Sequence, residues 1–80
     1  MMKIDRELNV CGLSCPLPVL KAKQMLNTMA NGQHLRVQTT DPGSVMDFQA
    51  FSRQTGNQLI DVSEGDGNLV FILKKNLLPI

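Results

Sequence analysis

The stretch Cys15-Pro16-Leu17-Pro18 stands where a predicted strand gives way to a predicted helix. Proline is tolerated in the first turn of a helix, because the first four backbone N–H groups there have no intrahelical acceptor. With Cys15 as the N-cap, the two prolines occupy the first and third helical positions, and the N–H groups of Leu17 and Val19 remain near the sulfur. The positive end of the helix dipole points the same way, so the segment favours a reactive thiolate at Cys15.

The segments on both sides of this stretch predict the element order βαβαββ. Alternating apolar residues indicate strands, and apolar residues spaced three and four apart indicate helices. The predicted strands cover residues 4–10, 35–39, 58–64 and 69–74; the predicted helices run from residue 16 to about residue 30 and from about residue 44 to 55, and residues 76–80 form a loose tail. Right-handed crossovers place both helices on the same face of the sheet. The sequence therefore predicts one α/β (α+β) domain over residues 1–80, a two-layer sandwich with a four-stranded mixed sheet.

Turn and capping residues mark the ends of these elements. Asn31-Gly32 is expected to stop the first helix in a left-handed conformation. Asp41 or Ser44 is expected to cap the second helix, and the segment 64–68 is expected to form a tight hairpin turn. The apolar residues expected in the core include Met25, Met29, Phe48 and Phe51.

Composition narrows the classes of partner. The chain has 80 residues and a net charge of +1, with three Phe and neither Trp nor Tyr. This balance argues against binding through phosphate neutralisation or base stacking, so no direct nucleic-acid partner is expected. No apolar run approaches the ~20 residues of a membrane span, and charges stand where a signal peptide is apolar. We expect a cytoplasmic chain without a membrane partner, whose two cysteines are free or catalytic.

The residues around the cysteine resemble a known family. Residues 12–22 read Gly-Leu-Ser-Cys-Pro-Leu-Pro-Val-Leu-Lys-Ala, and Thr40-Asp41-Pro42 precedes the second predicted helix. Over roughly residues 4–74 the chain is similar to the TusA/SirA-like sulfur-carrier (sulfurtransferase) family. The resemblance implies a persulfide on Cys15, loaded by a cysteine desulfurase or a rhodanese-like donor and passed to an acceptor protein. It implies an acceptor in tRNA thiolation, molybdenum-cofactor assembly or sulfur oxidation, while some relatives are tied to selenium metabolism.

A carrier of this kind is expected to act only together with its partners. It needs no cofactor or metal, and it is expected to be a monomer without turnover of a small substrate alone. Leu13, Asp41, Pro42 and Lys21 are the candidate docking residues around Cys15. Members that serve tRNA thiolation often carry an acidic residue between the prolines, where this chain has Leu17, so the resemblance favours that route less.

Cys11 leaves an alternative open. It lies four residues before Cys15 and could act as a resolving thiol, in a thiol-disulfide oxidoreductase or a regulatory adaptor domain. The spacing is one residue longer than the Cys-x-x-Cys of dedicated oxidoreductases, so a partly exposed thiol without a role is favoured. Two cysteines and one histidine fall short of four zinc ligands, and His34 is expected to be an exposed strand-edge residue.

Overall fold

The structure, a computed structural model, describes residues 3–14 and 16–76 and has the predicted element order. The elements are β1 (Arg6–Asn9), α1 (Leu17–Leu26), β2 (His34–Thr39), α2 (Ser44–Thr55), β3 (Gln58–Gly65) and β4 (Asn68–Lys74). The strands lie in the order β1-β2-β4-β3. β1 runs parallel to β2, whereas β4 is antiparallel to both β2 and β3. The predicted four-stranded mixed sheet is therefore confirmed.

The core lies between the sheet and the two helices. On β2, Leu35, Val37 and Thr39 are fully buried, while Arg36 and Gln38 point to the other, partly exposed face. This alternation is the two-residue period of a strand that is covered on one side. The ring of Phe48 on α2 packs against that of Phe71 on β4, with centroids 4.5 Å apart; the predicted core residues Phe48, Phe51 and Met29 are buried, and Met25 packs against the core.

Both ends of α1 differ from the prediction. The helix begins at Leu17, and Pro16 is its N-cap with φ −97° and ψ 13°. It ends at Leu26 rather than near residue 30, because the chain tightens into turns in which Thr28 and Met29 donate to the carbonyls three residues earlier. The Thr28 hydroxyl also donates to the Met25 carbonyl at 2.6 Å, which competes with continuation of the helix.

The other boundaries are closer to expectation. Gly56 ends α2 in the left-handed conformation, and Asp66 and Gly67 form the hairpin turn with positive φ angles of 50° and 81°. The strand assigned to β1 is shorter than predicted, although hydrogen bonds at Asp5 and Val10 continue its pairing with β2. The predicted loose tail is described only at Asn76; residues 77–80 lie outside the described residues.

The prediction for His34 is wrong. β2 is an interior strand of the sheet, so His34 lies at the end of a paired strand and is half-buried. Its backbone N–H donates to Asp5 Oδ2 at 2.9 Å. The sequence pattern did not reveal this contact because the two residues are 29 positions apart.

Candidate functional site

Three connections meet at one end of the sheet, which we call the site end. They are the β1–α1 loop (described at residues 10–14 and 16), the β2–α2 loop (residues 40–43) and the β3–β4 hairpin. The strand register brings them together: Asn9 pairs with Gln38 at the ends of β1 and β2, and Thr39 pairs with Leu69 beside the hairpin. Since β1 and β2 are parallel, α1 and α2 both begin at this end.

The first half of the β1–α1 loop is a hydrogen-bonded turn. The Val10 carbonyl accepts the Leu13 N–H at 3.2 Å, and the Cys11 N–H donates to Asn9 Oδ1 at 3.0 Å. Gly12 has φ +87°, a left-handed conformation that strains any residue with a Cβ. The glycine of the motif is therefore required by the path of the backbone.

Cys15, the residue on which the predicted chemistry depends, lies outside the described residues. Its neighbours Ser14 and Pro16 are described, and both are exposed at the site end. The Ser14 carbonyl accepts the Leu17 N–H at 3.0 Å, and the Pro16 carbonyl accepts the Leu20 N–H at 3.1 Å. Residues 16–18 of the motif thus lie at the start of α1, as predicted.

Two details of the predicted helix start are wrong. Pro16 occupies the N-cap that was assigned to Cys15, so Pro18 is the second helical residue rather than the third. The Leu17 N–H, expected to remain near the sulfur, already donates to the Ser14 carbonyl. Both prolines still avoid a lost intrahelical hydrogen bond, since all of these positions lie in the first turn.

Exposed apolar side chains lie within the motif and directly after it on α1. Leu17 is 42% exposed and Leu20 is 47% exposed, although burial usually stabilises such residues. Met46, in the first turn of α2, is 75% exposed. The sequence prediction did not include Met46. Its exposure was indicated by its position outside the three-residue spacing of Val45, Phe48 and Phe51.

The other candidate docking residues differ in accessibility. Lys21 is exposed on α1 and Pro42 is exposed in the β2–α2 loop, whereas Leu13 is half-buried and packs against the core. Asp41 is half-buried, and its Oδ1 accepts the Gly43 N–H at 3.1 Å. A cleft of about 330 Å³ opens at the site end between the start of α2 and the hairpin; Thr40, Pro42, Val45, Glu64, Gly67 and Leu69 line it.

The cap predicted for α2 takes a different form. Gly43 is the N-cap, and Asp41, two residues before it, accepts the Gly43 N–H. Ser44 is the first helical residue, and its buried hydroxyl lies 3.3 Å from that of Thr39. The Thr39 hydroxyl also accepts the Asp41 N–H at 3.1 Å, so side chains order the whole connection.

The two segments at the site end are joined by a hydrogen bond that the sequence did not reveal. The Gly12 N–H donates to Thr40 Oγ1 at 2.9 Å, across 28 positions of the chain. The sequence identifies Thr40 only as part of the Thr40-Asp41-Pro42 segment before the second helix, because a bond between two loops leaves no periodic signal. Cys11, beside Gly12, is a half-buried free thiol.

Among residues 3–14 and 16–76, no three His, Cys, Asp or Glu side chains are grouped so that they could hold a metal ion. In the same residues, no helix has both the length and the apolar character needed to cross a membrane.

Comparison with known proteins decides the family. The sequence model of the family described as sulfurtransferase TusA matches residues 6–75, nearly the whole chain. The chain belongs to the TusA family. The sulfur carrier protein TusA of Allochromatium vinosum is 53% identical over 76 residues, which are 95% of this chain and all of that protein.

Two further comparisons agree with this result. A putative sulfur carrier protein of Neisseria meningitidis is 49% identical, over 84% of this chain and 90% of its own. The crystal structure of a SirA-like protein from Desulfitobacterium hafniense superimposes with a TM-score of 0.77, covering 89% of this chain and 97% of that one. Its sequence identity is 23%, so this likeness supports the fold alone.

Proposed function

We propose that this chain is a sulfur carrier that accepts sulfane sulfur as a persulfide on Cys15 and passes it to an acceptor protein. The observation that carries the proposal is the Cys-Pro-Leu-Pro motif of a TusA-family chain, whose residues 16–18 form the start of α1. The exposed flanking residues Ser14 and Pro16 support it, because a carried sulfur has to reach two different proteins.

The proposed chemistry moves one sulfur atom without net oxidation. The Cys15 thiolate attacks the outer sulfur of a persulfide on the donor, which leaves as its own thiolate. An acceptor thiolate later attacks the outer sulfur of the Cys15 persulfide, and the Cys15 thiolate leaves. The direction of the helix dipole at the start of α1 favours Cys15 as both nucleophile and leaving group. The carrier needs no general base of its own when its partner supplies one.

Donor and acceptor are proposed to use one surface in turn. That surface comprises Leu17, Lys21 and Pro42, with smaller contributions from the half-buried Leu13 and Asp41. Exposed Leu20 extends its apolar part along α1, and apolar side chains of this kind commonly form the centre of an interface. Because both partners need access to the same sulfur, we expect them to compete.

The donor is proposed to be a cysteine desulfurase or a rhodanese-like protein, and the chain to act as a cytoplasmic monomer. The acceptor is proposed to belong to tRNA thiolation, molybdenum-cofactor assembly or sulfur oxidation. Leu17, which replaces the acidic residue common in the tRNA route, favours the other two.

One experiment tests the proposal directly. The protein is incubated with a cysteine desulfurase and L-cysteine, and added sulfur is located by intact-protein and peptide mass spectrometry. We expect one added sulfur atom on the peptide that contains Cys15, removable by a thiol reductant. Absence of added sulfur with several desulfurases and rhodanese-like donors, or its location on Cys11, would contradict the proposal.

A further inference from the structure

The path of the loop before Cys15 depends on hydrogen bonds more than on packing at Gly12. Two successive backbone N–H groups, those of Cys11 and Gly12, donate to the side chains of Asn9 and Thr40 at 3.0 and 2.9 Å. A Cβ added at Gly12 would meet no atom within 4 Å. No neighbouring side chain therefore fixes the loop by packing against it at Gly12.

Of the two acceptors, Thr40 is the one that joins the loop to another part of the fold. Asn9 belongs to β1 and is only two positions from Cys11, so its bond is local. Thr40 lies 28 positions from Gly12 and directly follows Thr39, whose side chain is fully buried. The Thr39 hydroxyl contacts that of Ser44 at the start of α2. The backbone of Thr40 therefore directly follows a residue that is fixed in the core.

We propose that Thr40 is a positioning residue for sulfur transfer: through the Gly12 N–H it holds residues 10–14, which lead to Cys15, in the conformation that transfer requires. This inference rests on the proposed function. Thr40 acts through the backbone three residues before Cys15 and takes no part in bond making. Its importance follows from the geometry of group transfer, in which a misplacement of about 1 Å can lower a rate roughly 100-fold.

The informative substitutions are Thr40→Val, which keeps the shape but removes the acceptor oxygen, and Thr40→Ser, which keeps the oxygen. Single-turnover transfer from a persulfidated desulfurase is measured over a range of donor concentrations. For Thr40→Val we expect a maximal rate about fivefold lower, the factor of a typical neutral hydrogen bond, with an unchanged half-saturating donor concentration. Thr40→Ser should restore the rate.

Thr28→Val is the matched control. Thr28 is also an exposed threonine with a hydrogen-bonded hydroxyl, but it lies after the opposite end of α1. We expect it to transfer sulfur at the wild-type rate. A loss of transfer that follows the fraction of unfolded protein in thermal melts, or a Thr40→Ser variant that fails to recover, would overturn the positioning role. A raised half-saturating concentration with an unchanged maximal rate would assign Thr40 to docking instead and would also overturn it.

A second measurement separates this inference from the proposed function. The alkylation rate of Cys15 by iodoacetamide, followed against pH, needs neither donor nor acceptor. We expect Thr40→Val to alter the pH profile of alkylation and to lose slow exchange of the Gly12 amide proton. Thr40→Ser should keep both the wild-type profile and the slow exchange. If wild-type protein accepts no sulfur, the proposed function fails, whereas identical profiles and Gly12 exchange in all variants would refute the positioning role alone.

Discussion

The two helices begin at the same end of the sheet, but their first turns are held in different ways. The start of α2 is ordered by nearby side chains: Asp41 accepts the Gly43 N–H, and the Ser44 hydroxyl lies against that of Thr39. The start of α1 follows Pro16 without a side-chain cap within the described residues. The loop before α1 instead uses Thr40, from the connection that leads to α2.

This difference distinguishes the start of α2, a supporting region, from the start of α1, where the proposed function locates sulfur transfer. The start of α2 is buried at Ser44 and rests on core residues, so it is suited to hold other parts in place. The start of α1 exposes Pro16 and Leu17, which is suited to contact with other proteins. Changes at α1 are therefore expected to affect sulfur transfer, and changes at α2 to affect stability.

The largest expected effect is on the loading of sulfur, and it arises at the start of α1. Cys15→Ser should abolish the addition of sulfur, because a hydroxyl does not form a persulfide, while Cys11→Ser should retain most of it. Intact-protein mass spectrometry after incubation with a desulfurase and cysteine measures both. Loss of loading in Cys11→Ser alone would show that the roles of the two cysteines are wrongly assigned.

The next effect is on stability, at the α2 side. Phe48 is fully buried and its ring packs on Phe71, so Phe48→Ala should lower the free energy of unfolding by about 3–5 kcal/mol. Cys15→Ser should cost much less, about 1 kcal/mol at most, since serine is well tolerated next to a helix start. Urea unfolding of the two variants gives the order, and the reverse order would mean that α2 is not the supporting region.

A smaller stability effect compares the two helix starts directly. Ser44→Ala removes a buried hydroxyl beside that of Thr39 and should cost about 1–2 kcal/mol. Pro16→Ala changes an exposed residue and should cost less than about 1 kcal/mol, chiefly by loosening the unfolded chain. Thermal melts of both proteins test this, and a larger cost at Pro16 would show that the prolines, rather than the β2–α2 connection, stabilise the site end.

The sequence predicted the parts of the fold that depend on periodic patterns and turn residues. β2, α2 and β4 have strong patterns, and α2 ends at Thr55 in the structure as in the prediction. The end of α1 was missed because the Thr28 hydroxyl competes for a backbone carbonyl, which a hydrophobic pattern does not show.

The local structure around the candidate site was predictable for the same reason. The Cys-Pro-Leu-Pro motif and the helix after it come from adjacent residues, so both could be inferred. The engaged N–H of Leu17 and the bond from Gly12 to Thr40 depend on how the loops fold back, and neither could be. Long-range polar contacts of this kind are set by tertiary structure and have no fixed spacing along the chain.

The smallest expected effect concerns the choice of partner at the start of α1. Leu17 lies between the prolines and is 42% exposed, so an acidic side chain there is accommodated without disturbing the core. Leu17→Glu introduces the residue type common in the tRNA-thiolation members. It should change affinity for a desulfurase and for an acceptor unequally, each by a factor of about ten or less, because a single charge at an accessible position contributes only modestly. Calorimetric titration with both partners measures the two changes.

Val62→Glu provides the matched comparison for this variant. Val62 is an apolar residue of similar exposure, 37%, but it lies on β3, the strand farthest from β1 in the sheet. A new negative charge there should leave both affinities unchanged, and both variants should still be alkylated at Cys15 by iodoacetamide. Equal effects of the two substitutions would mean that the response is to net charge alone. Unchanged binding by Leu17→Glu would remove Leu17 from the docking surface and leave its exposure without a role in recognition.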